Sequence, residues 1–134
     1  MIDPSSIIAE ARRWIGTPYH HQGRLLGVGV DCVGLVVGVG LALGLPVFDR
    51  TDYARVEEGG LEAVFDEQLD LADGLQPGRV MLIKLPGQRW PRHCGIVSDI
   101  GMIHVWEVPG RCVEHRISAS WVARVVRCYR FKGD

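Results

Sequence analysis

The sequence predicts an α+β domain, with helices in the first half of the chain and an antiparallel sheet in the second. Apolar residues recur at helical spacing as far as about residue 71. From Arg79 onward the pattern changes to short β-rich segments separated by Gly- or Asp-containing turns. With 134 residues, 47% of them hydrophobic, and a formal net charge of -1, the chain fits one compact domain over residues 1–134. Disorder and collagen-like repeats are excluded by the same composition.

Asp3-Pro4-Ser5 reads as an N-cap followed by proline at the first helical position, and Ile7, Ile8, Ala11, Trp14 and Ile15 form the apolar face of a helix over about Pro4 to Ile15. Gly16 stops it. Residues 16–30 are polar, turn-rich and glycine-rich, and read as a loop. Eight of the 17 glycines fall between Gly16 and Gly44, a bias that marks close backbone approaches in this region. Cys32 to Leu43 is apolar on every face. Its valines favour a strand, but its length, Gly44 and Pro46 favour a helix buried at the centre of the fold, with Gly34 and Gly38 admitting a close neighbour. Gly60 to Leu71 reads as an amphipathic surface helix. Strands are expected at Val80–Leu85, His93–Ser98, Met102–Val108, Arg111–His115 and Val125–Phe131, with a turn or short helix around Ser118–Ala123.

Several function classes fall away on composition. The first 78 residues carry 5 basic and 12 acidic side chains and the remainder 10 basic and 4 acidic, but there is no Lys/Arg run and no interleaving of aromatic with basic residues, so no nucleic-acid partner is expected. The longest apolar stretch, Cys32 to Phe48, falls short of the roughly 20 residues of a membrane helix and is bounded by Asp31 and Asp49, so no membrane partner is expected either. Met1-Ile2-Asp3-Pro4 lacks the basic and apolar regions of an export signal, which points to synthesis in the cytoplasm. Cys32, Cys94, Cys112 and Cys128 are widely and irregularly spaced and are read as free thiols. His20, His21, Cys112 and His115 are the candidate metal ligands, but no Cys-x-x-Cys pair or second matching half accompanies them. No metal and no organic cofactor is expected.

Cys32 stands at the start of a predicted helix, where unpaired N–H groups and the helix dipole stabilise a thiolate. A free cysteine is more usually a small buried hydrophobe, so position alone does not decide its role. Two histidines do. If the strands around Asp99-Ile100 form a hairpin with a two- or four-residue loop, His104 lies opposite Gly95 on the same face as His93, a diagonal of roughly 7–8 Å that two imidazoles can bridge. Should that face pack against the start of the Cys32 helix, His93 is placed to take the thiol proton and His104 to orient His93. Cys94 alternates to the opposite face and is read as core.

These residues resemble a known family. Gly16-Thr17-Pro18-Tyr19, Asp31-Cys32-Val33-Gly34-Leu35-Val36, Leu75-Gln76-Pro77-Gly78, His93-Cys94-Gly95-Ile96-Val97 and Met102-Ile103-His104 look like the ordered motifs of the NlpC/p60 cysteine peptidases. The resemblance implies a papain-like α+β fold, with N-terminal helices, including a central buried nucleophile helix, packed on an antiparallel β-sheet. It implies hydrolysis of peptidoglycan stem peptides, typically between D-glutamate and the following diamino acid. Cys32 would be the nucleophile, His93 the base and His104 the orienting residue, with Tyr19 and Asp31 shaping the site and binding the free amino end of the stem peptide. The bare catalytic domain resembles the branch found in phages and gene-transfer agents, which implies phage-tail proteins as partners and delivery in a particle. The chain departs from the family pattern at Val33, where serine is usual, at Arg79, where aspartate is frequent, and at Cys94, where valine is common. On the same fold, an amidase, thioesterase or acyltransferase remains an alternative, as does a structural tail component with a vestigial site.

Overall fold

A computed structural model describes residues 2–49 and 60–133. Helix α1 (Pro4–Arg12) starts where Asp3 accepts a hydrogen bond from the Ser5 N–H at 2.9 Å, and it buries Ile7, Ile8 and Ala11. The helical spacing predicted three further residues. They are present, but Trp14 and Ile15 donate to carbonyls three residues back, so the end tightens into single turns before Gly16 reverses at φ 89°.

The segment expected to be a loop contains a minimal hairpin, β1 (Arg24–Leu25) paired antiparallel with β2 (Gly29–Val30). It leads into α2 (Cys32–Ala42), capped by Asp31, whose carboxylate accepts from the Gly34 N–H at 2.7 Å. Val33, Leu35, Val36, Val37 and Val39 are buried, as an all-round apolar helix requires. A β-carbon at Gly34 would collide with the Gly23 carbonyl oxygen, and one at Gly38 with the indole of Trp14. The close approach is thus by backbone at one glycine and by an aromatic ring at the other. Gly38→Val is expected to lower stability by about 2–3 kcal/mol through overpacking, read as a lower urea midpoint with an unchanged m-value.

Helix α3 (Gly60–Gln68) buries Leu61, Val64 and Phe65. The helix predicted to reach Leu71 ends at Gln68, and the chain passes directly into β3 (Leu69–Ala72). Those residues pair with the far half of β8 (Val125–Phe131), so ladder hydrogen bonds to a neighbouring strand replace the last helical turn. The remaining elements are β4 (Val80–Ile83), β5 (His93–Val97), β6 (Met102–Val105), β7 (Cys112–His115) and α4 (Ala119–Val122).

All six strands β3 to β8 join one antiparallel sheet in the order β3-β8-β4-β5-β6-β7. Strands β4 to β7 form a meander, and β8 returns to the other side of β4. One face carries Val80, Leu82, Cys94, Ile96, Ile103 and Val105, and packs with α1 and α2 into the main core. The other carries Met81, Ile83, Val97 and Met102, packed with Trp121 of α4. By strand alternation His93 and His104 belong to this second face, so the helix bearing Cys32 lies on the Cys94 face and the condition set out from the sequence, packing of the histidine face on that helix, is not met. Among the described residues, no helix is long and apolar enough to cross a membrane.

Candidate active site

The β5–β6 hairpin turns through two residues. The Ser98 N–H donates to the Gly101 carbonyl at 2.8 Å, and the register pairs Ile96 with Ile103 and Val97 with Met102. Continued by one step, this register sets Gly95 against His104. A β-carbon at Gly95 would stand only 3.1 Å from the His104 β-carbon, so glycine leaves room for the ring beside it. His93 Nε2 and His104 Nδ1 lie 2.8 Å apart. Both residues are buried, His93 at 3% exposure and His104 at 0%.

Cys32 occupies the first position of α2 and is partly exposed, while Cys94, Cys112 and Cys128 are buried and all four thiols are free. Its sulfur sits at the start of β5, where the consecutive residues Cys94 and His93 both reach it. A hydrogen bond from the Cys94 thiol, opposed by burial and reinforced by the hydrogen bond and charge of His93, brings the Cys32 pKa down to about 5. Cys94 is pushed the other way, by burial and by the neighbouring Cys32 thiolate. Cys94 is core, as alternation predicted, but it also donates to the nucleophile candidate. The position at the helix N-terminus favours the thiolate in the same sense.

The two histidines predicted to interact do so, and a third joins them. His115, on β7, brings its Nε2 to 2.7 Å from His104 Nε2, and its Nδ1 to 2.8 Å from the Arg116 carbonyl oxygen. In the sequence His115 stands out only as a metal-ligand candidate. The signal for its true place is the β6–β7 register, which pairs His104 with Val113 and so puts His115 two residues further along the same face. The other members of that candidate set are dispersed: the His20 ring bonds the His21 carbonyl, and Cys112 lies in the main core. Among the described residues, no group of three or more His, Cys, Asp or Glu side chains is arranged to hold a metal ion.

Trp106 and Trp121, which carry no local sequence signal, enclose the imidazoles. Trp106 stacks on His104 at 6.0 Å and 23°, while Trp121 meets the same ring edge-on at 5.0 Å. Burial in this cage, and the neighbouring His93 and His115, push the His104 pKa from 6.5 down to about 2. A depressed pKa contributes stability that is complete above the unfolded value and is lost as pH falls toward the folded one. The protein is therefore expected to lose up to about 1.4 kcal/mol per pH unit below pH 6.5 from this residue. Urea melts between about pH 6.5 and 4.5 check this, with His104→Gln expected to flatten the slope.

Asp31 and Tyr19 lie beside Cys32 and, with His93, His21, Arg92, Trp106 and Glu107, line an open cleft of about 460 Å³. The Asp31 carboxylate is 4% exposed and accepts from Gly34 N–H, from Gln22 N–H at 2.9 Å and from the Arg24 guanidinium at 2.9 Å. The Tyr19 phenol is half-buried; burial first, then the Glu107, Asp31 and Cys32 charges, raise its pKa, and it hydrogen-bonds Glu107. Further out, Arg12 of α1 bonds Glu114 of β7 and Asp99 of the hairpin turn, tying the β5–β6 turn to the strand that carries His115.

No protein-family model and no curated protein matches the chain. Solved structures do. The NlpC/p60 domain of the peptidoglycan hydrolase SagA superposes with a TM-score of 0.67 at 22% identity, over 97% of this chain and 100% of that one. An NlpC/p60 family protein from Bacillus cereus ATCC 10987 gives 0.70 at 16% identity, over 97% of this chain and 40% of its own. An NLP/P60 family protein, similar to lipoprotein, from Staphylococcus aureus subsp. aureus Mu50 gives 0.67 at 17%, over 97% and 42%. The chain thus spans less than half the length of the last two. Helices α1 to α3 on one face of a six-stranded antiparallel sheet, with these structures as neighbours, make the architecture the papain-like α+β fold of NlpC/p60 domains.

Proposed function

We propose that this chain is a cysteine endopeptidase that hydrolyses peptide bonds in peptidoglycan stem peptides. One observation carries the proposal: a partly exposed thiol at a helix N-terminus, its pKa drawn down by Cys94 and His93, touches a histidine whose far nitrogen is bonded to a second histidine, all at the edge of an open cleft. That is the arrangement of nucleophile, base and orienter that acyl transfer needs.

In this reading the Cys32 thiolate attacks the scissile carbonyl carbon, and the resulting oxyanion is held by the backbone N–H of Cys32 at the start of α2. His93, carrying the thiol proton, passes it to the leaving amine as the C–N bond breaks. The acyl group then sits on Cys32 as a thioester. His93 next takes a proton from water, which attacks the thioester and regenerates the thiol. No step calls for a metal or organic cofactor.

The peptidoglycan substrate is supported by the fold neighbour SagA, named as a peptidoglycan hydrolase, and by the ordered motifs in the sequence. The finer form of the proposal is cleavage between D-glutamate and the diamino acid, by an enzyme made in the cytoplasm and carried with phage-tail proteins. It rests on the motif resemblance alone. Tyr19 and Glu107, paired at the cleft wall, are the groups best placed to receive the ammonium end of a stem peptide, with Asp31 holding the wall from behind.

Digestion of defined muropeptides followed by mass spectrometry tests this. The expected product is a fragment that begins with the diamino acid. Release of whole stem peptides from the sugar would mark an amidase instead, and intact muropeptides after prolonged incubation would overturn the peptidase reading. In parallel, iodoacetamide at neutral pH is expected to label Cys32 ahead of Cys94, Cys112 and Cys128.

A further inference from the structure

The hydrogen positions along the histidine row follow from its far end. The Arg116 carbonyl oxygen can only accept, so His115 Nδ1, 2.8 Å away, carries a hydrogen. A neutral His115 then presents a bare Nε2, and the 2.7 Å contact to His104 Nε2 requires the hydrogen on His104. His104 is wholly buried and neutral, so it has one ring hydrogen and its Nδ1 is bare. The 2.8 Å contact to His93 therefore requires the hydrogen on His93 Nε2. What remains on neutral His93 is the lone pair of Nδ1, the nitrogen left to meet the Cys32 thiol.

We propose that His115 is a positioning residue that acts through His104 to hold His93 in the Nε2–H tautomer, the form whose Nδ1 can take the Cys32 proton. The proposal deepens the cysteine-peptidase reading and rests on it for its consequence. Without His115, the buried His104 Nε2 loses its acceptor, and His104 is free to present its hydrogen at Nδ1 instead. His93 would then carry its hydrogen at Nδ1 and could not act as a base. Trp121, edge-on to His104 and 5.8 Å from His115, covers the row, so a side chain and not bulk solvent supplies the acceptor.

Long-range proton–nitrogen NMR of the imidazoles reads the tautomers directly. In the wild type at neutral pH, ring hydrogens are expected at Nε2 of His93, Nε2 of His104 and Nδ1 of His115, with His93 Nδ1 carrying one only as the proton taken from Cys32. A bare Nε2 on His93 overturns the proposal whether or not any variant folds. His115→Phe is expected to give His93 both tautomers and to slow iodoacetamide labelling of Cys32 by roughly 10-fold or more. His115→Gln, whose amide oxygen takes the place of Nε2 as acceptor, is expected to restore both readouts. If His115→Phe keeps a single His93 tautomer and the wild-type labelling rate, His115 is only a packing residue and the proposal fails, with the peptidase reading intact. If the wild-type Cys32 labels no faster than the other three cysteines, the peptidase reading fails, while the NMR still decides the tautomer.

Discussion

Cys32→Ala is expected to reduce the hydrolysis of stem peptides by about 10⁴- to 10⁶-fold, to a residue left by binding and the oxyanion site. His93→Ala is expected to fall in the same range, and the double variant to be no slower than the worse single one. In the proposed mechanism the two side chains perform one act. Without the thiol no thioester forms, and the base has no proton to move; without His93 the leaving amine departs unprotonated, and the thiol loses a hydrogen bond and a charge that lower its pKa. Initial rates on a purified muropeptide, with circular dichroism to confirm folding, measure the cycle. Losses that multiply would show that the two residues act separately and would sink the assigned mechanism.

Asp31→Ala is expected to have the largest effect on stability, about 3 kcal/mol and roughly a 10 °C fall in Tm. Three separate losses coincide at one buried carboxylate. The Gly34 N–H at the first turn of α2 loses its cap. Gln22, whose backbone is held at φ 58° in the left-handed region, loses the bond from its N–H. Arg24, with an 18% exposed side chain, loses its ion pair with Asp31 but keeps the one with Asp49. Asp31→Asn keeps an oxygen for the cap and is expected to lose less than half as much. Equal melting temperatures for Asp31→Ala and wild type would show that this carboxylate does not hold the start of α2 together.

The features legible in the sequence were those with short-range rules behind them. The cap at Asp3, the buried helix from Cys32 and the His93–His104 contact each follow from a few neighbouring residues; the last needed only a two-residue turn to set its register. The features missed depend on partners far along the chain. Leu69–Ala72 became a strand because β8, more than fifty residues later, offered it a ladder. His115 was missed because strand ends at Val108 and Arg111 imply a two-residue Pro109-Gly110 loop, whereas β6 stops at Val105 and the longer connection to Cys112 sets a different register, His104 against Val113. The face on which α2 packs was likewise beyond local pattern, because alternation tells which side chains share a face but not which face a helix will cover. The cleft still forms because β5 begins at the helix end, where His93 and Cys94 meet the same sulfur from opposite sides of the sheet.

The three histidines sit on successive strands of a meander, 11 positions apart in each hydrogen-bonded pair. Cys32 meets the same region across 60 residues, through its contact to the Arg92 carbonyl. Closing the longer loop costs about 1.5 kcal/mol more in chain entropy than closing either short one. The imidazole row is thus the local part of the site, and docking of α2 is the step of long range that completes it. A chain whose β-meander has formed but whose helix has not docked holds His93 and Cys32 apart, so the proposed hydrolytic chemistry requires the finished fold.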